Sequence, residues 1–136
     1  TPRPAPARGK VVSQLNKTFV PRVLPVTLGT KVDFKNADPI FHNVFSLSKP
    51  NDFDTGLYKG GGSYSKTFSK AGPVQLLCNI HASMIGYVVV VDSPWYGQAD
   101  GSGAFSIRGV PTGDYELFAW HEASSQTTRQ KLTVSD

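Results

Sequence analysis

Cys78, His81 and Met84 fall within seven residues, Cys-Asn-Ile-His-Ala-Ser-Met, and include the only cysteine, the only methionine and one of the three histidines of a 136-residue chain. Set three residues apart in a short turn, their side chains can converge on one point. Thiolate and thioether favour Cu(I), and imidazole suits both Cu(I) and Cu(II), so a second imidazole would complete a set for a redox-active copper ion. His42, far upstream, is the candidate. The expected chemistry is single-electron transfer at one copper ion held by His42, Cys78, His81 and Met84.

Taken singly, a lone cysteine reads as a small hydrophobe and a methionine after it as packing; the combination and its spacing point to a metal. Zinc also takes cysteine and histidine, but a structural zinc prefers a fourth Cys or His and a catalytic one an open water position, so Met84 argues against it. A Cys-His nucleophilic pair would need an orienting Asn or Asp and an oxyanion hole, and would leave Met84 without a role. Asn43 is a candidate brace between the two ligand-bearing loops, and Pro39, Ile40, Phe41, Ala82 and Ile85 supply an apolar rim.

Strands must carry these residues. Short runs rich in Val, Phe, Thr and Leu, bounded by Pro and Gly, predict strands at 11–15, 23–28, 31–35, 63–69, 74–77 and 86–92. Alternation around Gly29-Thr30 predicts a hairpin. His42 follows the Asn36-Ala37-Asp38-Pro39 turn and is expected at the start of a strand leading into Asn43-Val44-Phe45, while 74–77 delivers Cys78 at its end. Residues 48–62, with Pro50 and three consecutive glycines, read as a long irregular loop. No stretch has sustained helical periodicity with caps, so the fold class is all-β, a sandwich.

The formal net charge is +4, but Arg3, Arg8 and Lys10 lie in a Pro-rich start, and +1 remains without them. The other basic residues are scattered among acids, which gives no nucleic-acid surface. Residues 1–10 read as a flexible or strapped-down tail. No apolar run is long enough to span a bilayer. One cysteine excludes an intramolecular disulfide, and in an oxidising compartment a bound metal would protect it. The expected location is the periplasm, the chain reading as a mature form with its leader removed.

Val26-Thr27-Leu28-Gly29-Thr30-Lys31-Val32-Asp33-Phe34, His42-Asn43-Val44, Ala71-Gly72 and the run from Cys78 through Ile85-Gly86-Tyr87-Val88 together resemble a cupredoxin, over residues 11–92. The compact Cys-x-x-His-x-x-Met loop is most similar to that of amicyanin; plastocyanin and pseudoazurin have a longer His-to-Met spacing. The resemblance implies a cupredoxin-like Greek-key β-sandwich with a blue (type 1) copper held by His42, Cys78, His81 and Met84. It also implies an exposed apolar patch around His81 where a redox protein partner docks. A copper-handling or sensing protein, and a copper enzyme with an open coordination position, are the alternative functions.

Beyond Asp92 the run from Asp100 to Leu117 resembles the middle of a carboxypeptidase-regulatory-like or transthyretin-like β-module, and the whole chain resembles bacterial methylamine-utilisation-type proteins. Strands are expected at 104–108, 114–121 and 129–134. Three strands in about forty residues bury too little to stand alone. The extension 93–136 is therefore expected to pack on the 11–92 domain, to borrow its N-terminal strands, or to form a homodimer by strand exchange. His121, in Trp120-His121-Glu122, is a candidate to approach the copper from outside its ligands. Asp100-Gly101-Ser102-Gly103 lacks the recurring acids of a calcium loop and reads as a turn.

Overall fold

The computed structural model describes residues 2–124 and 126–136; Thr1 of the Pro-rich start and Ser125 of the expected Ser-Ser-Gln turn lie outside the described residues. These residues form eleven strands and no helix. They are β1 (Lys10–Leu15), β2 (Thr18–Val20), β3 (Val23–Thr27), β4 (Thr30–Asn36), β5 (Phe45–Ser46), β6 (Phe53–Asp54), β7 (Ser63–Phe68), β8 (Gly72–Leu77), β9 (Ile85–Val91), β10 (Gly113–Ala119) and β11 (Thr128–Val134). The chain divides into two compact units, Thr1–Tyr96 and Gly97–Asp136.

The first unit is a sandwich of a four-stranded sheet, β2-β1-β4-β7, and a five-stranded sheet, β3-β9-β8-β5-β6. Its layers follow from alternation. Thr30, Val32, Phe34 and Asn36 point inward from β4, Gly86, Val88 and Val90 from β9, and Val74 and Leu76 from β8, because successive side chains leave a strand on opposite faces. Inside, Phe34 and Phe68 of one sheet meet Phe53 of the other, with ring centroids 5.7, 5.9 and 6.4 Å apart. Each such pair contributes about 0.5–1.5 kcal/mol beyond its buried area.

The expected hairpin at Gly29-Thr30 is not formed. β3 pairs in parallel with β9, and β4 pairs with β1 and β7, so this turn carries the chain from one sheet to the other. The change happens between neighbouring amides: Leu28 N–H donates to Val91 O at 3.1 Å and Gly29 N–H to Phe68 O at 2.7 Å. Alternation records a half-buried strand but not which strand lies beside it. The Pro-rich start runs past this turn: Pro4 is buried, the Thr27 hydroxyl donates to Ala5 O at 2.6 Å and Ala7 N–H donates to Thr30 Oγ1 at 3.0 Å.

In the second unit β10 and β11 form an antiparallel ladder from Gly113↔Val134 to Ala119↔Thr128. The strand expected at 104–108 is not formed, and no ladder includes that stretch. Strand-like composition expresses fit to a neighbouring strand more than a backbone preference, and the ladder here has two strands only. Asp100 Oδ1 accepts from the Ser102 hydroxyl at 2.7 Å and from the amides of Ser102 and Ala104 at 2.8 and 3.1 Å. Those bonds hold its pKa below the ordinary aspartate value.

Candidate metal centre

The three strand parities that build the core also aim the candidate ligands. His42, Val44 and Ser46 are buried at every second position leading into β5; Val74, Leu76 and Cys78 continue the inward face of β8 past its end; Met84, Gly86 and Val88 begin the inward face of β9 before its start. The loop between β8 and β9 therefore leaves and re-enters the sandwich with both sulfur atoms directed inward. Its turn closes where Met84 N–H donates to His81 O at 3.0 Å. Gly86 is required here for space, since a Cβ would lie 2.9 Å from that of Phe19 and 3.1 Å from Arg22 O.

His42 stands three residues before β5, not within it, and makes an isolated bridge with Tyr58: His42 N–H donates to Tyr58 O at 3.1 Å and Tyr58 N–H to His42 O at 2.8 Å. The loop expected to be irregular thus supplies the backbone partner of a ligand candidate. His42, Cys78 and Met84 are buried and His81 is partly exposed.

The donors of His42, Cys78 and His81 all lie within 4.8 Å of one another. Cys78 Sγ is 3.8 Å from His42 Nδ1 and 4.0 Å from His81 Nδ1, and the two rings meet edge to face with centroids 4.9 Å apart. With first-row metal bonds of about 2.05 Å to nitrogen and 2.3 Å to sulfur meeting at about 120°, the donors would stand about 3.8 Å apart. One ion fits between them, and Met84 returns to the interior three residues after His81.

Asp38 lies against the far side of the His42 ring, its Oδ2 2.7 Å from Nε2. Burial pushes the Asp38 pKa up, but the bond from His42, the amides of Lys17 and Asn16 and the charge of His42 together hold it below the ordinary aspartate value. Loss of hydration, then the charges of His42 and Lys17, push His81 down against the opposite pull of Asp38, which favours the neutral ring with a free lone pair. The Tyr58 phenol is pushed well up by burial and by the Cys78 charge beside it. It stays protonated and donates to Gln14 Oε1 at 2.9 Å and to Phe34 O at 3.1 Å.

Gln14 passes this support on, its Nε2 donating to Asn43 O at 3.1 Å. Asn43 joins the two ligand loops: its Oδ1 accepts the Asn79 amide at 2.8 Å, and its Nδ2 faces Asp54 Oδ1 at 3.4 Å. His121 belongs to the second unit, where it is exposed and its Nδ1 accepts the Ala123 amide at 3.0 Å. Gln14, Asp38 and Tyr58 are the supporting residues that pattern reading passes over. Asp38 had a signal, an acid four residues before a candidate ligand across a proline turn; Gln14 and Tyr58 come from distant strands and loops and had none.

No protein-family model and no curated protein matches the chain. Solved structures do. A Cu-containing nitrite reductase from Thermus scotoductus superposes with a TM-score of 0.59 at 29% identity, covering 66% of this chain and 23% of that one. The chain thus spans about a quarter of that enzyme. An oxidised amicyanin variant gives 0.57 at 28% identity, covering 60% of this chain and 81% of its own. A purple cupredoxin from Nitrosopumilus maritimus gives 0.56 at 20% identity over 61% of this chain and all of its own, a likeness of fold. The protein has the cupredoxin fold and carries a His-Cys-His-Met cluster within it. Amicyanin is among the cupredoxins it resembles, over 81% of that protein's chain.

Asn43→Ala removes the acceptor of the Asn79 amide, and its stability should fall by about 0.5–1.5 kcal/mol in chemical denaturation. An unchanged midpoint would contradict the bracing role.

Proposed function

We propose that this chain is a mononuclear blue-copper electron carrier, with copper held by His42, Cys78, His81 and Met84. Bound there, copper would supply one-electron chemistry by cycling between Cu(I) and Cu(II). The observation that carries this reading is the convergence of Cys78 Sγ with the Nδ1 atoms of His42 and His81 at 3.8 and 4.0 Å. Buried His42, Cys78 and Met84 keep water and small anions away, and the bonds to Asp38 and Asn43 restrain the loops that carry them. His81, partly exposed, offers its ring as the exit for an electron.

Ile40, Phe41 and Ile80, 37, 56 and 49% exposed on the ligand-bearing loops, supply apolar surface for a redox protein partner. A carrier is favoured over a copper enzyme because Met84 would fill the position a substrate needs. An exported, periplasmic location accords with a lone thiol shielded by metal. The C-terminal unit, a two-stranded ladder with Phe105 and Phe118 exposed, would complete its sheet with a second copy of the chain. Light scattering at micromolar concentration should then return twice the chain mass; a monomer would refute this pairing.

Titration with Cu(II) should give an intense thiolate-to-copper absorption that saturates at one equivalent, disappears in Cys78→Ala, survives repeated reduction and oxidation, and ignores azide and nitrite. Absence of the band, or its persistence in Cys78→Ala, defeats the assignment. Loss of metal on reduction would favour copper handling, and a spectral change with azide would favour an enzyme.

A further inference from the structure

Four loops meet at the end of the sandwich that carries the candidate ligands. The Asp38 carboxylate accepts the amides of Asn16 and Lys17 at 2.7 and 2.9 Å, which binds the β1–β2 turn to residues 36–43. Asn36 Nδ2 donates to Tyr58 O at 3.1 Å, which brings Lys59 to the same place. Asn43 joins the Cys78–Met84 loop through the Asn79 amide at 2.8 Å. Arg22 reaches the exit of that loop, where its Nη1 donates to Ile85 O at 3.3 Å.

Charge on this surface has one sign. Lys17, Arg22 and Lys59 are exposed cations, and among the described residues no salt bridge holds Lys17 or Lys59. Residues 15–22, 36–43, 56–62 and 78–85 include one acid, Asp38, and its 6% exposure takes it out of the surface. At the other end of the sandwich the signs are mixed, with Lys49 standing 3.9 Å from Asp52. The three cations flank the exposed Ile40, Phe41 and Ile80, and a hollow of about 320 Å³ opens between Lys17 and Ile40.

In an interface of this anatomy the apolar centre holds the partner, while the charged rim sets the encounter rate and rejects partners of the same sign. We infer that this end docks a redox protein whose own surface sets carboxylates around an apolar centre, and that Lys17, Arg22 and Lys59 steer it there. An anionic lipid surface would match the charge, but it holds no redox group to take an electron from His81. The inference rests on the electron-carrier reading above and adds the sign of the partner.

Hexacyanocobaltate(III), a diamagnetic trianion, probes the surface without copper. Added to the metal-free, isotope-labelled protein, it should shift the amide NMR signals of Lys17, Lys59 and Ile80; equal shifts around Lys49 and Lys70 overturn the inference. In the copper-loaded, reduced protein, oxidation by hexacyanoferrate(III) should slow as salt rises, and oxidation by the tris(phenanthroline)cobalt(III) cation should quicken. Lys17→Glu combined with Lys59→Glu should slow the anionic oxidant about tenfold and speed the cationic one, whereas Lys70→Glu changes neither. A mere change in driving force would move both oxidants the same way, and that result overturns the inference. Cosedimentation with phosphatidylglycerol vesicles at physiological salt overturns the assignment to a protein. A parent with no thiolate-to-copper band defeats the carrier reading and the redox partner with it, whereas a failed trianion map leaves the carrier reading intact.

Discussion

The contact between Asp38 and His42 is the constraint on which the rest of the site depends. A buried imidazole has two nitrogens, and either can carry the proton. Here one is committed to a carboxylate at 2.7 Å, and that choice leaves the other facing the cysteine. The backbone of His42 is fixed by Tyr58 in both directions, and the carbonyl of its neighbour Asn43 by Gln14. Among the described residues no buried side-chain nitrogen or oxygen lacks a partner. Such a fully satisfied network rigidifies what it surrounds, whereas a partly satisfied one would cost free energy.

Rigidity at His42 matters because the other candidate ligands come from a different direction. Cys78 and Met84 enter through the alternation of β8 and β9, with Val74, Leu76, Val88 and Val90 below them in the core. Packing of the sandwich and placement of the sulfur atoms are therefore one event. Asn43 ties the two systems through the Asn79 amide. A site held this way suits an ion that changes oxidation state without changing its surroundings.

The ligand cluster was legible because its residues are rare in this chain and fall at regular spacing, and most strands were legible because β4, β8 and β9 alternate strictly. The hairpin expected at Gly29 failed for a physical reason: alternation says which face is buried but nothing of the neighbour, and here the neighbours lie in two sheets. The strand expected at 104–108 failed because composition cannot supply a hydrogen-bonding partner. Gln14 and Tyr58 were invisible for the same reason, being 44 residues apart and joined by one bond. Asp38 was read as turn chemistry, and it does make a turn; what the sequence does not express is that the turn points its carboxylate at a ligand.

One set of donors is proposed to serve copper in both oxidation states. X-ray absorption of the copper-loaded protein, oxidised and then reduced, tests it most directly. It predicts two nitrogens and one short sulfur contact in both states, with the same donors throughout. A shell that lacks sulfur, or that loses a nitrogen on reduction, would contradict it.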